Sequence, residues 1–285
     1  MSEQNGGADQ ELVLYEVDEY GVATVTLNRP ERKNAWSIPM ERRFYALLDG
    51  AAADPAVRVV IITGAGRSFC PGMDVERLEK NAQPGGSLNL QERVPMYSKR
   101  STMPKPMIAA INGGCAGIGL VQALICDVRF AARGARMTTA FTRRGLAAEY
   151  NLSYVLPRVI GLENALDLLL SGRTFDADEA KSLGLVSRVV EPEDLLDAAR
   201  AYAQDIARNC SPRAMAVVRH QVYGDLDRDF VGALARSYSA MEFFAGSPDF
   251  QEGVASFREK REPKFEGLPA DFDPEDATRD EFLPY

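Results

Sequence analysis

The sequence predicts an α/β fold with a largely parallel sheet, completed by a helical C-terminal region. Three observations carry that expectation. Val57–Thr63 is a run β-branched at every position but Arg58 that stops at Gly64-Ala65-Gly66, as a buried strand ending in a loop would. Met107–Ile111 and Asp127–Ala131 repeat the pattern around a helix-length stretch, Ile118–Cys126, so strand, helix and strand follow as in a βαβ unit. From Gly161 onward helical patterns dominate.

The elements follow in chain order. Residues 1–10 are polar and Gly-containing and are expected to be disordered. Leu12–Val17 and Val22–Leu27 read as strands; the second alternates Ala23, Val25 and Leu27 with Thr24 and Thr26. Tyr20-Gly21 between them signals a turn, so a hairpin is expected. Pro39–Ala53 reads as a helix with Phe44, Leu47 and Leu48 on one stripe. The interval 81–91 is polar with Gly and Pro, a mobile loop that serves as plain surface or as a lid. Asp176-Ala-Asp-Glu179 resembles a capping box, and Ser211-Pro212 and Ser247-Pro248 each place an N-cap before a proline at the first helical position. The acidic stretch 266–285 is expected to be an extended tail.

Composition excludes several function classes. A net charge of −8 and a pI near 5.0 argue against a nucleic-acid or membrane-surface role. Any anionic ligand therefore needs a local basic patch. The four cysteines, at positions 70, 115, 126 and 210, show no C-x-x-C spacing, and reduced thiols suit a cytoplasmic enzyme. A lone histidine, His220, excludes a His-based metal cluster and reads as a surface or interface residue. No apolar run reaches transmembrane length and no signal-peptide core is present, so a soluble, unprocessed chain is expected. Ser68 and Ser153 lack the context of a hydrolase nucleophile.

Four segments, in order, resemble the crotonase (enoyl-CoA hydratase/isomerase) superfamily. They are Asn28-Arg-Pro-Glu-Arg-Lys-Asn-Ala35, Ile62-Thr-Gly-Ala-Gly-Arg-Ser-Phe-Cys-Pro-Gly-Met-Asp74, Lys105-Pro-Met-Ile-Ala-Ala-Ile-Asn-Gly113 with Ala116-Gly-Ile-Gly119, and Phe257-Arg-Glu-Lys-Arg261. Leu183-Gly-Leu-Val186 adds a fifth. The resemblance implies the ClpP/crotonase-like spiral, in which ββα repeats stack into two sheets. It implies a core domain over 11–200, a helical trimerisation region over 201–265 and the acidic tail after it. It also implies an acyl-CoA substrate, with coenzyme A part of that substrate and no separate cofactor or metal, and self-association to a trimer or hexamer.

The chemistry of such enzymes places negative charge on a thioester oxygen, which two preorganised N–H groups offset in a site closed to water. By resemblance these are the amides of Met73 and Ile118, the second at a helix N-terminus where the macrodipole adds to it. The family commonly has Gly at the Ile118 position, so the isoleucine adds bulk beside the thioester. Gly117 and Gly119 are expected to let backbone approach the ligand. Arg32, Lys33 and Ala35 are expected to meet the nucleotide, with Lys260, in the basic cluster Arg258/Lys260/Arg261, reaching over from a neighbouring subunit. Asp74, Gly117, Val121 and Phe141 complete the expected acyl-CoA contacts.

Hydratases of the family use two glutamates, whose positions fall here on Val121 and Phe141; neither carries a proton. Glu149, in Gly145-Leu-Ala-Ala-Glu-Tyr150, matches the acidic residue used for proton transfer by enoyl-CoA and dienoyl-CoA isomerases. Isomerase-type proton transfer by Glu149 is therefore the expected activity. Two alternatives stay open: a hydratase or C–C hydrolase using Glu149 to position water, and a catalytically inactive CoA-binding protein.

Overall fold

The computed structural model describes residues 11–87 and 102–279. The expected disorder of residues 1–10, residues 88–91 of the expected 81–91 loop and the last residues of the tail fall outside the described residues.

The first half of the chain runs β1 (Val13–Val17), β2 (Val22–Leu27), α1 (Ile38–Ala53), β3 (Val59–Gly64), β4 (Ser68–Cys70), α2 (Val75–Asn81), β5 (Met107–Ile111), β6 (Gly114–Ala116) and α3 (Ile118–Ile125). It continues with β7 (Val128–Ala132), β8 (Arg136–Thr138), α4 (Leu152–Ile160), α5 (Leu162–Ser171), β9 (Phe175–Asp176), α6 (Ala177–Ser182) and β10 (Arg188–Val190). The last helices are α7 (Leu195–Asn209), α8 (Pro212–Asp225), α9 (Phe230–Phe244) and α10 (Pro248–Glu259).

From β3 to β8 the strands alternate between two sheets as the chain advances. One has the order β1-β2-β3-β5-β7-β10, the other β4-β6-β8-β9. The β1–β2 hairpin is antiparallel, and the remaining pairs of the large sheet are parallel. Each turn of the chain thus lays one long strand in the first sheet and one short strand in the second. A helix follows in the first two turns, which gives the ββα spiral.

Both faces of the large sheet are covered, which explains why β3 is apolar without alternation. Val60 and Ile62 point into the main core with Phe44, Leu48 and Trp36, whereas Val59 and Ile61 point to the opposite face. There Leu195, Ala199, Ala203 and Ala207 of α7 form a stripe four residues apart, and their small side chains let the helix lie close on the strands.

That stripe spans the expected boundary at 200/201. A single helix crosses it, and the part after residue 200 still seals the sheet, so the chain leaves the sheet only after Asn209. The described part of the expected extended tail packs on the helices. Ala277 and Thr278 are buried against α8 and α9, held by Arg236, which donates to the Thr278 hydroxyl at 3.1 Å, and by His220 paired with Glu275 at 2.7 Å. The acidic segment folds back because helix surfaces supply apolar cover and hydrogen-bond partners for it. The three expected N-caps form, at Asp176, Ser211 and Ser247. No helix of the described residues is long and apolar enough to cross a membrane.

Candidate active site

The short sheet creates the site. Strands β4 and β6 are parallel neighbours with Cys70 opposite Cys115, so the residues three places further on, Met73 and Ile118, leave the same sheet end together. β8 is the next parallel neighbour, with Ala116 opposite Thr138, and sends Thr139, Ala140 and Phe141 to that end too. These exits converge on a cavity of about 580 Å³, a size suited to a substantial ligand.

Each amide is presented by a specific local device. Trp36 and Met73 form a parallel bridge, in which the Trp36 N–H donates to Gly72 O (2.8 Å) and the Asp74 N–H donates to Trp36 O (3.1 Å). In that ladder the flanking residues supply both bonds, so the N–H of Met73 points to the opposite side. Ile118 is the first residue of α3, where amides have no intrahelical acceptor. Its N-cap, Gly117, has φ 51° and ψ −121°, a conformation closed to side-chain-bearing residues. Met73, Gly117 and Ile118 all line the cavity.

The approach from residues 29–36 is pinned from beneath. Asn34, fully buried, accepts the Arg29 N–H at 2.8 Å and donates to the carbonyls of Ala65 (2.9 Å) and Ser68 (2.7 Å). Arg29 donates to Ala35 O at 2.7 Å and pairs with Asp74 at 3.1 Å, tying this loop to the one that presents Met73. Arg32, Lys33 and Ala35 line the cavity as a result. Arg32 also faces Glu76 at 3.4 Å, an exposed pair of little energetic weight. Asp74 lines the cavity and caps α2, accepting the Glu76 N–H at 3.4 Å.

Glu149 reaches the same cavity, half-buried, from the loop between Gly145 and α4. The two residues after it, Tyr150 (φ 52°) and Asn151 (φ 62°), are left-handed, an uncommon state for side-chain-bearing residues. Ala140, Lys33 and Asn34 share that conformation. Of these left-handed residues Lys33 and Ala140 line the cavity and the others lie one or two places from lining residues, whereas Lys260, also left-handed, ends α10 away from it; such backbone is common at functional sites. Arg144 also lines the cavity, and it donates to Ala140 O at 3.2 Å.

Of the residues singled out in the sequence, Arg32, Lys33, Ala35, Met73, Asp74, Gly117, Ile118, Phe141 and Glu149 come together here. Val121 does not: it lies one turn further along α3 and faces a separate, smaller cavity. Lys260 does not either; it is the exposed left-handed C-cap of α10 and is not among the residues around the cavity in this chain. Gly119 serves packing rather than ligand approach, since a Cβ there would lie 2.1 Å from Cys70 O. Sequence reasoning missed Asn34 as the anchor of the site loop and Thr139 and Ala140 as cavity wall. The Lys-Asn pair at a tight turn is the signal that could have found Asn34.

Comparison with known proteins agrees with this architecture. The family model described as enoyl-CoA hydratase/isomerase matches residues 18–268. The 1,2-epoxyphenylacetyl-CoA isomerase of Escherichia coli is 33% identical over 273 residues, covering 90% of this chain and 99% of that protein. A protein of Mycobacterium tuberculosis named as a probable enoyl-CoA hydratase is 36% identical over 266 residues, covering 89% and 92%. The crystal structure of an enoyl-CoA hydratase from Bacillus anthracis superposes with a TM-score of 0.81 at 30% identity, covering 90% of this chain and all of that one. The chain has the crotonase spiral fold and belongs to the enoyl-CoA hydratase/isomerase family of acyl-CoA enzymes.

Proposed function

We propose that the chain is an enoyl-CoA isomerase-type enzyme in which Glu149 carries a proton between carbons of an enoyl thioester. The observation that carries this reading is the composition of one cavity. Glu149 shares it with the Met73 and Ile118 amides, while the positions where water-adding glutamates would sit hold Val121 and Phe141.

In the proposed reaction the Glu149 carboxylate removes a proton from C2 of a 3-enoyl thioester. The released electron pair moves onto the thioester oxygen, giving a dienolate whose charge the two amides offset. The carboxylic acid then returns the proton at C4, leaving the double bond between C2 and C3. One base and one oxyanion site suffice, no water enters the balance, and Glu149 ends as it began. The isomerase named among the relatives supports this reading.

Relatives named as hydratases favour a second reading, in which Glu149 positions water for addition or C–C hydrolysis. Product analysis separates the two. Incubating a 3-enoyl thioester in ¹⁸O-water should give the conjugated isomer without label. A labelled hydroxyacyl or acid product would overturn the isomerase reading.

Arg32 and Lys33 would receive the nucleotide phosphates. Lys260 would join them from a neighbouring copy in a trimer or hexamer. The apolar surface of the last helices supports self-association, with Phe230 81% and Phe257 85% exposed in the single chain. A cytoplasmic location fits reduced cysteines at 70, 115 and 126, all buried.

A further inference from the structure

A smaller cavity of about 170 Å³ lies beside the proposed catalytic loop. Two elements supply walls to both spaces. Helix α3 gives Ile118 to the larger cavity and Val121, one turn on, to the smaller; the loop gives Glu149 to the larger, and Tyr150 and Asn151 to the smaller. An acyl group with its carbonyl at Ile118 and its C2 at Glu149 is therefore directed along α3 toward Val121.

The wall of the smaller cavity is mostly apolar, with Asn151 and Asp227 as exceptions. Leu124, Val155 and Leu226 supply aliphatic wall. Of its tyrosines, Tyr154 donates its hydroxyl to Asp227, itself a wall residue, and Tyr223 donates to Asp127 at 2.5 Å, so both hydroxyls are paired and the rings offer carbon to the space. Val121 keeps α3 uncharged where it borders this space. An apolar cavity of about 150 Å³ accommodates a benzene molecule, and this one is of that size.

Resting on the acyl-CoA reading above, we propose that the small cavity receives the distal end of the acyl group and that the substrate class is a thioester ending in a single six-membered carbon ring. Val121, Tyr150 and Leu226 are then its specificity-determining residues. Val121 and Leu226 close the space from different elements, α3 and the end of α8.

The test reads binding, not turnover, by calorimetric titration of the full-length protein with saturated thioesters. Cyclohexylacetyl-CoA should bind about tenfold or more tightly than acetyl-CoA, the scale on which an apolar pocket discriminates. Val121→Phe and Leu226→Phe each fill the cavity from a different side and should bring that ratio to within about threefold. Leu226 is 40% exposed, so its replacement remains readable if the buried Val121 variant does not fold. A wild-type ratio near one, or a ratio retained in either folded variant, overturns the proposal. No binding of either thioester refutes the acyl-CoA reading beneath it, whereas binding without ring preference refutes this proposal alone.

Discussion

Replacing Gly119 by alanine probes how the two amides are spaced. An added Cβ would lie 2.1 Å from the carbonyl oxygen of Cys70, 2.8 Å from its Cβ and 2.9 Å from its carbonyl carbon, against ordinary contacts of 3.4–4 Å. The first of these is backbone of β4, the strand that leads to Met73, so no side-chain rotation relieves it. Relief needs α3 to move away from β4 by roughly 1 Å, and a displacement of that size in a catalytic constellation costs on the order of 10²-fold in rate. Overpacking of this kind also destabilises by about 1–3 kcal/mol. Exchange of acyl-CoA C2 protons in deuterated water, with urea unfolding alongside, measures both. An unfolding midpoint like the wild type and exchange within about threefold would show that the α3–β4 contact does not set the amide spacing.

Other substitutions test separate parts of the structure. Gly50 lies inside α1 with nothing within 4 Å of an added Cβ, so Gly50→Ala should stabilise the protein by about 0.5–1 kcal/mol; a lower urea midpoint would contradict this. Buried Lys105 donates to Ala51 O at 2.6 Å and Asp54 O at 2.5 Å, and burial pushes its pKa down to about 8 from the ordinary 10.5, against the pull of Asp54. Between those values the unfolded chain holds more protons, so stability from this group rises as pH climbs from about 8 toward 10.5 and is level below 8. Urea unfolding at pH 7, 8.5 and 10 should show the wild type gaining on Lys105→Met; a constant or shrinking difference would refute the assignment. Arg219 pairs with Asp127 at 2.9 Å through Nε, with side chains 6% and 20% exposed. Arg219→Met should cost about 3 kcal/mol by leaving that carboxylate short of its cation, and a loss under about 1 kcal/mol would argue against the pairing.

The sequence made the long elements readable and left the short ones obscure, for physical reasons. Strands β2, β3 and β5 bury whole runs of β-branched or apolar residues, and helices α6, α8 and α10 carry their caps in adjacent letters. Strands β4, β6 and β8 have three residues each, too few for any periodicity, although they place the site. Gly119 and Gly117 look alike in the sequence, but one avoids a collision with Cys70 and the other adopts a positive φ; only the packing separates them. Motif register pairs Val121 with Phe141, and three-dimensional placement puts them on different cavities. The acidic stretch near Glu275 reads as tail because its partners, His220 and Arg236, lie far back in the chain.

The central claim is that Glu149 moves a proton while the Met73 and Ile118 amides hold the enolate. Proton exchange at C2 or C4 of a bound enoyl thioester, followed by NMR in deuterated water for wild type and Glu149→Gln, tests it most directly. Loss of a general acid–base should lower exchange by about 10²–10⁴-fold, with coenzyme A thioester affinity nearly unchanged. Exchange at the wild-type rate in a folded, thioester-binding Glu149→Gln protein would contradict the account.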